Sequence, residues 1–184
     1  MMAMTWTTDR LMVQYGQYYL CEFGASFDPD EIGRIFDGNS LVGTGLGYLV
    51  VLSGTHTGHL RLRIEQHDSE PPADFALWES VAEVSYHSAK GHLALQTFDH
   101  FVREAGTMVH EGPGWYRIRV HTRGRDAGQG LSGLVEYPDD PVEDHLISVW
   151  RARPKKETVY KITDGFGLQH WDPTRKPAPP VRPE

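Results

Sequence analysis

Ten histidines and 25 aspartates and glutamates give this 184-residue chain many groups able to bind metals or move protons. Their spacing gathers few of them. His56, His59, His67 and Asp68 follow one another closely, but a mononuclear metal site needs three or four ligands converging on one point. Neither the HExxH arrangement of a helix nor ligands paired one residue apart on a strand occurs. Gly130-Leu131-Ser132-Gly133 lacks the second spacing of a nucleophile elbow. Gly43-Thr44-Gly45-Leu46-Gly47 has the glycines of a phosphate loop without its Lys-Ser/Thr, and reads instead as a flexible entry to a strand. Cys21 lies in an apolar stretch and reads as a packed side chain, because free cysteine is commonly a small buried hydrophobe. No catalytic residue, metal ligand or cofactor site is therefore assigned, and the chain reads as a protein other than an enzyme.

Two segments remain as candidates for binding. In the first, alternation puts Trp115, Arg117, Arg119, His121 and Arg123 on one face of a strand and Tyr116, Ile118 and Val120 on the other. Arginine recognises carboxylates and phosphates through a planar fork of donors, and Trp and Arg are frequent interface anchors. The competing reading is an ordinary solvent-facing sheet whose arginines are neutralised by Glu65, Glu79 or Glu83 on neighbouring strands. The second segment is acidic. Glu136, Asp139, Asp140, Glu143 and Asp144 fall in a Pro-containing loop, and general acid–base work would require environments that push pKa values apart. The expectation is that these carboxylates are solvated and face a cationic partner.

The elements that position these residues are mostly strands. Leu11, Val13 and Tyr15 alternate with polar neighbours, as do Leu60, Leu62 and Ile64, and these six join Tyr116, Ile118 and Val120 as the expected core. Further strands are expected at Tyr18–Phe23, Gly47–Leu52, Val81–His87, His92–Thr97, Leu146–Trp150 and Thr158–Ile162. Gly16 is expected to mark a bulge that passes the chain between two sheets. Ser53–Gly58 and Ser88–Gly91 are expected to close hairpins. Asp28-Pro29-Asp30-Glu31 has the signals of a helix start, a second short helix is expected near Phe98–Ala105, and 126–144 reads as a long surface loop. The fold class expected is mainly β: an antiparallel β-sandwich, jelly-roll-like, with one or two short helices.

One sandwich domain is expected over residues 1–171, followed by a Pro-rich tail over 172–184. The tail contains Pro177-Ala178-Pro179-Pro180-Val181-Arg182, which fits a polyproline ligand with a trailing basic residue, and it should lack a fold of its own. A net charge of −7 disfavours non-specific nucleic-acid binding. One cysteine excludes an intramolecular disulfide framework. No apolar run approaches the length of a membrane span, and Met1–Arg10 lacks a signal-peptide pattern, so a cytoplasmic protein is expected.

The N-terminal pattern Leu11, Val13, Tyr15, Gln17, Tyr18 and Leu20 resembles the competence-protein J family, small bacterial inhibitors of a DNA-entry nuclease. So does Gly114-Trp115-Tyr116-Arg117-Ile118, followed after a loop by Asp144-His145-Leu146-Ile147. The stretch from Gly112 to His121, with Arg123-Gly124-Arg125-Asp126 after it, is also similar to uncharacterised bacterial proteins of comparable size. The resemblance implies a β-sandwich that works by binding another protein, and it carries over no inhibitory residue. The function expected is a non-enzymatic binding protein, an inhibitor or immunity protein acting on a nuclease or other toxin. The alternative is a small metal- or ligand-binding sandwich, or an enzyme, with a site of histidines and carboxylates from several strands.

Overall fold

The computed structural model describes residues 4–27, 30, 33–34, 37–133 and 138–184. Among these residues, ten strands form two sheets. They are β1 (Met4–Val13), β2 (Gln17–Cys21), β3 (Val42–Gly45), β4 (Tyr48–Leu52), β5 (Gly58–His67), β6 (Ser80–Ser88), β7 (Ala94–Gln96), β8 (Gly114–Arg123), β9 (Asp144–Arg151) and β10 (Thr158–Ile162). The larger sheet has the order β1-β5-β9-β8-β6-β10 and the smaller β3-β4-β2-β7. Every pairing is antiparallel except β5 with β9, which run parallel. The expected sandwich is thus present, with one parallel joint in the middle of its larger sheet.

Leu11, Val13, Leu60, Leu62, Ile64, Tyr116, Ile118 and Val120 are all buried in the core between the sheets. Tyr15 is the exception. It takes a left-handed φ of 57° and is 60% exposed. Alternation fails there because Tyr15 and Gly16, also left-handed at φ 68°, form the tight turn that carries the chain from β1 in one sheet to β2 in the other. The bulge expected at Gly16 is therefore a sheet-switching turn. β4 is apolar at every position because both faces of the small sheet are covered. Leu49 and Val51 face the central core, while Tyr48, Val50 and Leu52 join Tyr19 and Cys21 in a second cluster against Phe27 and Phe101. Cys21 fills this cluster, its thiol pushed up to about 12 by burial.

Two expected hairpins are corrected. Ser53–Thr57 joins β4 to β5 and Ala89–Leu93 joins β6 to β7, but in both cases the flanking strands lie in different sheets. Turn residues signal a reversal of the chain without saying which strand it meets. Val42–Gly45 is also a full edge strand, paired to β4, and not a loose entry to one. The helix expected from Asp28, Pro29, Asp30 and Glu31 falls mostly outside the described residues. Near Phe98–Ala105 only a 3-10 turn at Arg103–Ala105 forms. Residues 126–144 were expected as loop, yet a helical segment, α1 (Arg125–Gly130), opens that stretch. A short α2 (Gly165–Leu168) follows β10, its N-terminus capped by the Asp164 side chain accepting from the Gly167 amide at 2.6 Å.

Candidate functional site

Arg117 and Arg119 of β8 do face away from the central core, but they do not meet solvent. Arg117 and Arg119 are 1% and 0% exposed. Residues 70–78, the 155–158 segment and Tyr160 of β10 lie over that face and supply acceptors. Arg117 donates from Nε to Glu83 Oε1 at 2.6 Å and from Nη1 to Ser85 Oγ at 2.9 Å and to the Lys155 and Lys156 carbonyls at 3.2 Å. Arg119 donates to Glu83 Oε2 at 2.9 Å, Glu70 Oε1 at 3.0 Å and the Pro71 carbonyl at 3.1 Å. Its guanidinium lies 5.0–5.5 Å from the ring centroids of Trp150, Tyr160 and Phe75. Neutralisation by a glutamate of the adjacent strand is thus what the sheet does, with one buried carboxylate bridging two arginines. An open cationic face including Arg117 and Arg119 is corrected: long covering segments have closed it.

The other members of that face divide. Trp115 is partly exposed, with His87 at its edge and the Arg182 guanidinium 5.6 Å from its ring. Arg123 is 45% exposed and pairs with Asp144 at 2.8 Å. His121 is buried between Phe75 and Trp78, and burial, the largest influence, pulls its pKa down to about 4. This lowered value sets the sign of a pH effect. The neutral imidazole suits the folded state, so its contribution is complete above about pH 6.5 and is lost as pH falls towards 4. At about 1.4 kcal/mol per unit, the loss totals about 3 kcal/mol. The melting temperature should therefore fall between pH 6.5 and 4, and H121F should flatten that slope; equal slopes in the two proteins would assign the effect elsewhere.

The acidic segment also divides. Glu136 lies outside the described residues. Asp139 and Asp140 are exposed, with Asp140 reaching Arg61 at 2.7 Å. Asp144 is held by Arg61 and Arg123; burial raises its pKa, but the two guanidiniums outweigh that and leave it below the ordinary value. Glu143 corrects the expectation of a solvated carboxylate, because it is fully buried. It accepts from the amides of Gly54 and Thr55 at 3.0 and 2.8 Å and from Thr55 Oγ1 at 2.7 Å, and its Oε1 lies 2.7 Å from His145 Nε2. The Tyr18 hydroxyl, 2.8 Å from His145 Nδ1, completes a buried row. Burial raises the Glu143 pKa, yet His145 and Thr55 together hold it below its usual range. The surroundings leave no room for a substrate: a Cβ on Gly128 would stand 2.5 Å from Glu143 Oε2, and one on Gly54 1.9 Å from the Arg125 carbonyl. This row resembles a proton relay in its residues but serves to fasten the β4–β5 crossover to β9 and β2, with α1 packed closely against it.

A second buried knot was not foreseen. Arg125 and Asp164 are both fully buried and pair at 2.9 Å, while Arg125 also donates to the Ser40 carbonyl at 2.7 Å and Ser80 Oγ at 3.1 Å. The sequence signal was the arginine directly after Gly124, just ahead of the stretch 126–144 read as loop.

The histidines are dispersed, and among the described residues no three of His, Cys, Asp or Glu come together as a metal site would require. What stays exposed and clustered is aromatic. At the end of the sandwich where β1 stops and β5 and β9 start, Tyr15 packs against Phe98 at 5.0 Å and His56 at 5.7 Å. Tyr15 and Phe98 are both more than half exposed. Asp99 lies beside them, and the Asp139 carbonyl accepts from Arg10 near the end of β1. A left-handed backbone is costly for a residue bearing a Cβ, and such positions gather at functional sites. Sequence alternation had placed Tyr15 in the core, so this cluster was missed.

The architecture defines a small β-sandwich of a type found in two solved structures. One is described as "Crocagin biosynthetic gene J", with a TM-score of 0.54 and 16% identity over 83% of this chain and 100% of that one. The other is ComJ from Bacillus subtilis, described as the inhibitor of the DNA degrading activity of NucA, with a TM-score of 0.53 and 11% identity over the same shares. The resemblance seen in the sequence thus extends to the fold. No family model and no curated protein sequence matches the chain. Among the described residues no helix is long and apolar enough to cross a membrane.

Proposed function

We propose that this chain is a non-enzymatic binding protein that inhibits a nuclease or another toxin, with the aromatic and acidic end of the sandwich as its contact surface. Tyr15 carries the reading: an aromatic side chain held out at φ 57° and 60% exposed, stacked on an exposed Phe98. Tyr and Phe supply large contact area at interface centres. Asp99, Asp139 and Asp140 would flank that centre and complement a cationic cleft, and Arg123 with Asp144 would form its rim. Complementary charge steers such encounters and discriminates between partners. The fold shared with ComJ supports the same reading.

The test is titration of the protein against the nuclease encoded nearest its gene, reading degradation of DNA and RNA. Stoichiometric loss of activity is expected, and no loss at a large molar excess would oppose the proposal. A chain carrying both Tyr15→Ala and Phe98→Ala should weaken inhibition about a hundredfold, as hot-spot truncations do, while its melting temperature stays within a few degrees. Asp139→Lys with Asp140→Lys should act mainly on the association rate and in a salt-dependent way.

A further inference from the structure

The Pro-rich tail has no secondary structure, but it has a defined place. Beyond Glu83, where the pairing with β10 ends, β6 runs on to Ser88 with one side free of a strand partner. The outer side of β3, the edge of the small sheet, lies close to this free half. Residues 178–184 lie along the resulting cleft. The amide of Glu157 donates to the Ala178 carbonyl at 2.9 Å, Arg175 pairs with Glu157, and Arg182 stacks on Trp115.

The tail does not fill the cleft. Spaces of about 320 and 440 Å³ remain along it. Tyr86 lines the larger, is 1% exposed, and its buried hydroxyl has no hydrogen-bond partner. An unpaired buried hydroxyl is costly and marks a place where an acceptor is missing. Glu22, 4% exposed, lines the same space and accepts from Ser88 Oγ at 2.8 Å and the Lys90 amide at 3.0 Å.

We infer that this cleft is a binding site for an extended, proline-containing segment with an arginine, supplied by a partner, and that the chain's own residues 177–184 occupy it in the partner's absence. Polyproline segments are preformed and present regularly spaced carbonyls to aromatic donors. Tyr86 would donate to one of those carbonyls, and the arginine would take the place of Arg182 on Trp115. Val181, Pro183 and Glu184 of the tail border the same space without giving Tyr86 an acceptor, while the Arg175–Glu157 pair and the Glu157–Ala178 bond fix where the tail enters the cleft. This site is separate from the Tyr15 end and does not depend on inhibition.

The probe is a labelled synthetic peptide copying residues 174–184, titrated against the full chain by fluorescence polarisation. A tethered competitor acts at an effective concentration of about millimolar, so R182E, which loosens the tail without disturbing the body, should bind the peptide about tenfold more tightly than the unaltered chain. In the R182E background, Tyr86→Phe should weaken binding about tenfold through loss of one hydrogen bond while leaving melting temperature equal or higher, since it removes an unpaired buried hydroxyl. Trp115→Ala in that background should weaken it as well. Absence of saturable binding to R182E would overturn the inference, as would binding indifferent to both Tyr86→Phe and Trp115→Ala.

Discussion

Glu83→Gln should cost about 3–5 kcal/mol of stability, the loss expected when one partner of a buried ion pair is removed. For a domain of this size that lowers the melting temperature by about 10 °C or more. The reason is geometric. Glu83 sits between Arg117 and Arg119 and gives one oxygen to each Nε, while Tyr160 donates to its Oε2 at 3.2 Å. The glutamine keeps the shape but removes the buried charge that two guanidiniums cut off from water share. Arg119 would keep its pair with the half-exposed Glu70, but Arg117 would be left with neutral acceptors such as Ser85 Oγ and the carbonyls of residues 155 and 156. Combining Glu83→Leu with Arg117→Met and Arg119→Met should recover much of the loss, because a whole buried ionic group is replaced at far lower cost than it is broken. Melting curves of the unaltered chain, E83Q and the triple variant decide the matter; E83Q melting within about one degree of the unaltered chain would show that the triad is not energetically coupled.

Glu143→Ala should be as damaging, at about 3–5 kcal/mol, for a different reason. The carboxylate is the common acceptor for two amides, a hydroxyl and a histidine ring in a place where no water competes. Its removal leaves several donors buried and unpaired, at about 1–3 kcal/mol each before relaxation. The damage should start in the 53–57 crossover, which Glu143 ties to the first residues of β9. Hydrogen exchange at the Gly54 and Thr55 amides should quicken further than that at β8 amides such as Ile118. Uniform exchange across the two regions would mean that the row is not a local fastening.

The alternating strands were legible in the sequence because period-two burial writes itself into composition. β1, β5 and β8 each carried a clean apolar face, and all but one of the residues chosen from them lie in the core. Tyr15 failed since a turn residue with a positive φ can continue an apolar alternation by coincidence. The two misread hairpins failed because turn chemistry is local, whereas the choice of strand partner depends on which sheet needs an edge covered. Of the candidate site, exposure was the quantity least available. Arg117, Arg119 and Glu143 are charged, and charge ordinarily means solvent. The arginines are buried by segments 70–78 and 155–158 and Glu143 by the crossover at 53–57, whose routes over the sheets leave no periodic trace. Likewise nothing in a run of prolines said that it would lie against β3 and β6.

The parallel joint between β5 and β9 also governs how the chain can be assembled. In the order β1-β5-β9-β8-β6-β10, β9 is the strand that unites one half of the large sheet with the other. It begins at Asp144, after eight of the ten strands have already been made. Until it inserts, β5 and β8 each offer an open edge, and the chain consists of two half-sheets that cannot share a continuous hydrogen-bonded layer. Such edges invite pairing with other molecules. Synthesis of this protein therefore passes through a window in which aggregation competes with folding, and that window closes only when a late strand slides in as the keystone.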